Sequence, residues 1–257
     1  MRSVLIRGIS GLCLVVAFIS CFGEAHGQVT VNNILLNFPS GQRPIQNVTV
    51  GNSSDNPAYV VASLERVVDP ESGGNKAEPS EDVLISPKAF SIEPRGQRAV
   101  RFLLRNPPKD KEVVYRALFT PQDRGFGQEA KHNIQGRVAS IRVLTGMGVL
   151  LFVEPPKPLG ELHWIRTKDS IVFNNLGNVH VELGEGKACL SSDCVPLERK
   201  RVYSGATFEV KTPGNRSVTY LARTGAGGIF ETVNFDPLSG DSSNGIVKPA
   251  MRSENQG

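Results

Sequence analysis

Beyond residue 27 the sequence has only two cysteines, no apolar run long enough to span a bilayer and no stretch with helical periodicity. No second Cys or His pair stands at ligand spacing, which removes a zinc reading of Cys189-Leu-Ser-Ser-Asp-Cys194. His132, His163 and His180 are far apart, so no metal site is expected. A hydrolase needs a nucleophile turn, yet neither Gly-x-Ser-x-Gly nor a Cys with a nearby His occurs. Gly225-Ala-Gly-Gly228 lacks the following helix and Lys of a phosphate cradle and reads as a hairpin. No cofactor is implied, and the chain is not expected to be an enzyme.

What is present is ordinary for a globular protein: 39% hydrophobic and 21% charged residues, with 26 Gly and 17 Pro. That composition excludes collagen, coiled coil and wholesale disorder. The 257 residues suffice for one or two domains, each able to bury a core. Basic residues are interspersed with acidic ones rather than gathered into an arm, so no nucleic-acid partner is expected.

Residues 1–27 carry Arg2 and Arg7, an apolar stretch over residues 9–22, and the small residues Ala25 and Gly27 before Gln28. This is the pattern of a secretory signal peptide, with cleavage expected between Gly27 and Gln28. An uncleaved anchor and a lipoprotein site at Cys21 are the alternatives, weakened by the shortness of the run and by the bulky Phe18. Loss of Arg2, Arg7 and Glu24 leaves 27 basic residues against 24 acidic ones, a net +3. In an oxidising compartment the remaining Cys189 and Cys194 are expected to form a disulfide.

From residue 29 the chain reads as strands. Segments 29–38, 45–50 and 58–68 are rich in β-branched residues, alternate with period two and are separated by Pro, Gly, Asn and Ser. The pattern continues through 82–86, 90–92, 97–104 and 112–119 to a long run at 134–153, with 69–82 read as a mobile loop. Three prolines in Glu154-Pro-Pro-Lys-Pro-Leu-Gly160 then remove three backbone donors and mark a domain boundary. A second, shorter set of strands follows, with Trp164 expected to cap its core. The fold class expected is all-β, two immunoglobulin-like β-sandwich domains in tandem at an angle, over residues 28–155 and 156–236. Residues 237–257, rich in Ser, Gly and Asn, are expected to be a disordered tail.

Three stretches carry a family resemblance. Leu84-Ile-Ser-Pro-Lys-Ala-Phe-Ser-Ile-Glu-Pro-Arg-Gly-Gln-Arg-Ala-Val-Arg-Phe102 places a Ser-Pro turn, a short strand, a Pro-containing turn and an Arg-bearing strand in order. Glu112-Val-Val-Tyr-Arg-Ala-Leu-Phe119 is a Tyr-Arg strand, and Ile171-Val-Phe-Asn-Asn-Leu-Gly-Asn-Val-His180 precedes the Cys189 and Cys194 pair. Together they resemble the periplasmic pilus-assembly chaperones of the chaperone-usher pathway, in the branches that build colonisation-factor and archaic fimbriae.

The resemblance implies a function. A fimbrial subunit would be a sandwich missing its last strand, and the chaperone would lend one until an outer-membrane usher exchanges it. The implied partners are fimbrial or pilus subunits and the usher, and a free chaperone could shield its edge by self-association. The donor strand falls in the long run at 134–153. With period two, Ile141, Val143, Thr145, Met147 and Val149 share one face. Ala139, Ile141 and Val143 match the inserting residues, whereas Val149, Leu151 and Val153 read as core. The family's two-cation anchor for a subunit's C-terminal carboxylate falls near Leu35 and Leu150, which are neutral. Arg116 with Tyr115 is the substitute, since Arg offers a planar fork to a carboxylate; the alternatives for Arg116 are an ion pair with Glu65 or Glu112 and simple surface exposure. A secreted structural or adhesive protein of two such domains, its long strand merely completing its own sheet, is the rival reading.

Overall fold

The computed structural model describes residues 29–122, 129–134, 137–142 and 144–250, and every regular element among them is a strand. Residues 1–28 and Val143 lie outside the described residues. The first half contains β1 (Val29–Val31), β2 (Leu35–Phe38), β3 (Ile45–Asn52), β4 (Ala58–Val67), β5 (Ala77–Pro79), β6 (Val83–Ser86), β7 (Ala89–Ile92), β8 (Gln97–Leu104), β9 (Val113–Gln122), β10 (Glu129–Ile134), β11 (Arg137–Arg142) and β12 (Met147–Val153). The second contains β13 (Leu162–Arg166), β14 (Ser170–Asn175), β15 (Val181–Leu190), β16 (Asp193–Pro196), β17 (Lys200–Val202), β18 (Thr207–Lys211), β19 (Ser217–Thr224), β20 (Glu231–Phe235) and β21 (Ser243–Val247).

Two sheets face each other in each half, as the short alternating runs predict. In the first half β1-β3-β8-β6 packs on β2-β12-β9-β4-β5, with β7 also on β4. The chain therefore changes sheet between β1 and β2, and β2 runs parallel to β12. In the second half β18-β14-β13-β21 packs on β16-β15-β19-β20, with β17 on β15. Alternation along β4 shows why: Ala58, Val60, Ala62 and Leu64 point inward while Val61 and Ser63 face out.

Each sandwich has its own core. In the first, Phe119 meets Phe90 and Phe102 edge to face, with ring centroids 6.5 and 6.3 Å apart. Val149, Leu151 and Val153 of β12 belong to this core. In the second, Phe173, Phe208, Tyr220 and Phe235 interlock, and the Trp164 indole stands 5.2 Å from the Phe235 ring in T geometry. Each fully buried side chain of this size contributes about 1.5–3 kcal/mol.

Three expectations need correction. The tail assigned to residues 237–257 includes β21, which pairs along the whole of β13. The loop at 69–82 includes β5, paired to Glu65, Arg66 and Val67. The run at 134–153 is not one strand: β11 ends at Arg142 and β12 begins at Met147. Gly146, in the gap, offers no side chain to pack, which weakens a strand there.

Candidate functional site

The sheet of β12 has an edge that is only half covered. On one side β12 pairs with β9 from Met147 to Val153. On the other, β2 covers Leu150 to Val153 alone. The Leu150 N–H donates to the Ile34 carbonyl at 2.9 Å, and by the two-residue period the Gly148 N–H points the same way, beyond the reach of β2. Upstream, β11 pairs only with β10, in a separate two-stranded sheet, so its other edge carries no strand among the described residues. Such a row of backbone donors and acceptors is a template for another chain. Ala139 and Ile141, the two described members of the expected inserting set, occupy alternate positions of β11.

Beside this edge, the outward face of the sheet presents residues in rows. Glu65 of β4, Arg116 of β9, Leu150 of β12 and Leu35 of β2 lie in one row. Cross-strand partners share a face, so Arg116 stands one strand away from the neutral Leu150 and two from the neutral Leu35. Its Nη2 and Nε donate to Glu65 Oε2 at 2.8 and 3.2 Å, and its Nη1 to the Gly74 carbonyl at 3.4 Å. Both partners are about a third exposed, 32% and 29%. In this structure Arg116 is ion-paired with Glu65 and not with Glu112.

Tyr115 requires a correction. It neighbours Arg116 in sequence and for that reason points to the opposite face, into the core. Its hydroxyl donates to Asp82 Oδ2 at 3.0 Å, and Asn106 Nδ2 and Ser80 Oγ also donate to the Asp82 carboxylate. Tyr115 cannot share a ligand with Arg116. Burial would raise the Asp82 carboxyl, but the donors from Asn106, Tyr115 and Ser80 outweigh it and hold the group below the usual carboxylate range. Burial, then the Asp82 acceptor, pushes the Tyr115 hydroxyl well above its ordinary value. Stability linked to Tyr115 is therefore full below about pH 10 and lost as pH rises above it. Tyr115→Phe should cost about 1–2 kcal/mol at pH 7 and lessen the loss between pH 9 and 11, as read by urea unfolding.

The next row inward, Val67, Val114 and Phe152, meets Tyr203 and Ala226 of the second half and forms a small apolar joint. Around it several polar groups are paired. His180 Nδ1 lies 2.8 Å from both Glu112 oxygens, with the two side chains 2% and 3% exposed. Glu154, inside the proline-rich connector, accepts from the Ala226 and Gly227 amides at 2.7 and 3.0 Å and from the Ser40 amide at 3.2 Å. Arg201 stacks on the Phe152 ring at 5.1 Å, and Lys200 pairs with Glu71 at 3.0 Å. Asn178 holds the Asp110 and Lys157 carbonyls. These contacts join distant parts of the chain, or come from side chains that look like loop polar groups, so sequence spacing does not reveal them.

On the second-half side, Glu182 is fully buried between its cross-strand neighbours Arg201 and Arg223, with Arg199 on its other oxygen. Cys189 and Cys194 face each other across β15 and β16 with sulfurs 2.09 Å apart. No group of three or more His, Cys, Asp or Glu able to hold a metal occurs among the described residues.

The geometry is thus a half-covered strand edge next to a partly exposed cation above a braced joint. The family model "Pili and flagellar-assembly chaperone, PapD N-terminal domain" matches residues 28–157. The probable fimbrial chaperone EcpB of Klebsiella pneumoniae is 28% identical over 109 residues, 42% of this chain and 48% of that protein. The chain thus spans about half the length of the curated relatives it matches. Among solved structures, the class 5 fimbriae chaperone CfaA superposes with a TM-score of 0.57 at 18% identity, over 79% of this chain and 98% of that one. The Salmonella enterica SafB chaperone, solved in complex with the SafA pilin, gives 0.56 at 16% identity, over 83% and 98%. These likenesses extend the shared fold over both sandwiches, and the family match settles the kinship: the chain belongs to the pili and flagellar-assembly chaperone family, whose members assist assembly rather than catalyse a reaction.

Proposed function

We propose that this chain is a periplasmic fimbrial chaperone of the chaperone-usher pathway that holds each fimbrial subunit by lending it a strand and then yields it to an outer-membrane usher. The observation that carries the reading is the half-covered edge of β12, continued upstream by β11 with one edge unpaired among the described residues. A subunit sandwich that lacks a strand has an apolar groove flanked by unpaired backbone. An added strand with alternate apolar side chains satisfies both needs. Ala139 and Ile141, with Val143, are the residues assigned to the groove.

Arg116 is the residue assigned to the subunit's C-terminal carboxylate. Its place in the row with Leu150 and Leu35 supports this, as does its partial exposure. The incoming carboxylate would share the guanidinium with Glu65 or displace it. Export after removal of residues 1–27 would bring Cys189 and Cys194 into an oxidising compartment, consistent with a disulfide between them. Without a subunit the same edge is open to a second copy of the chain.

Co-expression in the periplasm with a subunit encoded beside this protein is the test. A one-to-one complex is expected to co-purify. Arg116→Ala should weaken it about 10- to 100-fold, the loss of a charge-assisted hydrogen bond worth about 1.5–3 kcal/mol. Unchanged affinity in that variant would move the anchor elsewhere. If no cognate subunit is bound or protected, the structural or adhesive reading takes its place.

A further inference from the structure

We propose that the C-terminal segment, residues 243–250, is a strap that braces the interdomain joint from behind. The segment's first three residues, Ser243, Asn244 and Gly245, carry no strand signal. Its fit depends on Gly245, which lies directly opposite Trp164, where a Cβ would come within 2.9 Å of the indole. Glycine there lets the indole rest against the strap while its edge meets Phe235. Val247 then packs against the second core.

Beyond β21 the chain leaves the sheet and reaches the joint. Lys248 Nζ lies 2.8 Å from Glu161 Oε2, at the exit of the proline-rich connector. Pro249 is buried, and its carbonyl accepts the fully buried Thr224 hydroxyl at 2.9 Å. The Ala250 amide donates to Glu231 at 3.3 Å. Thr224 sits against Gly160 of the connector, where any side chain would overlap it. It also opens the turn whose Ala226 and Gly227 amides hold Glu154. The strap thus grips the connector and the back of the docking turn at once, and the second half of the joint is preset by the chain's own C-terminal segment.

Because the inference concerns the free protein, it does not depend on any subunit. The test is amide exchange in the mature chain and in a chain ending after Ser242. On removal of the strap, the Ala226 and Gly227 amides should exchange at least about tenfold faster, while core amides of the first half such as Phe102 keep their rates. Should the shortened chain fail to fold, Thr224→Val in the full chain decides: it keeps the β21 pairing and removes only the grip on Pro249. Faster exchange at Ala226 and Gly227 in that variant supports the strap. Unchanged exchange there, in either folded variant, would overturn it and leave β21 as a strand that only completes its sheet.

Discussion

Ile141→Asp is expected to abolish subunit binding while shifting the stability of the free protein by no more than about 0.5 kcal/mol. The asymmetry arises from where Ile141 lies. Its strand pairs with β10 alone, in a sheet separate from the two that enclose the first core. An ionised carboxylate placed in an apolar groove without a partner costs several kcal/mol, enough for a loss of more than about a thousandfold in affinity. Val143→Asp should behave alike on the parity of the sequence. Urea unfolding of the free variant and co-purification with a subunit read the two effects separately. A variant that binds normally would remove β11 from the groove. One that fails to fold would assign Ile141 to the chaperone's own core.

The largest effect on stability is expected at Glu182. Burial works against its charge, but the Arg199 and Arg223 donors and the nearby Arg201 outweigh it and hold the carboxyl below the usual range. Its folded value is lowered, so its contribution is present above the ordinary carboxylate range and is lost as pH falls through the folded value. Glu182→Ala removes the shared acceptor of three guanidiniums, of which Arg201 and Arg223 are only 26% and 23% exposed. Breaking a buried pair in this way costs roughly 3–5 kcal/mol. For a domain of this size that is a fall in melting temperature of more than about 12 °C. Calorimetry at pH 7 checks the magnitude, and at pH 4 the gap between the variant and its parent should narrow. An unchanged melting temperature would mean that the three arginines find water or other acceptors instead.

How far the sequence alone reaches is clear from particular elements. Val149, Leu151 and Val153 are buried because their parity puts them on one face, and parity needs nothing but order along the chain. The same rule, applied to Tyr115 and Arg116, separates the pair: neighbours on a strand cannot serve one ligand. β21 is hidden because Ser243, Asn244 and Gly245 carry no strand signal. It forms through the space that Gly245 leaves for Trp164, a tertiary fact. The pairing of His180 with Glu112 is likewise invisible, since it joins two halves 68 residues apart. Glu154 looks like part of a linker because prolines follow it, yet three amides converge on its carboxylate. Pattern reveals faces and strands, and contacts between distant segments have no period to read.

Strand donation itself is tested most directly by amide exchange across β11 and the start of β12, in the free protein and in its complex with a cognate subunit. The expected result is strong protection of β11 and of the Gly148 amide on binding, with the second sandwich unaltered. Equal exchange at those amides in both states, with protection appearing elsewhere on the surface, would contradict donation of this strand.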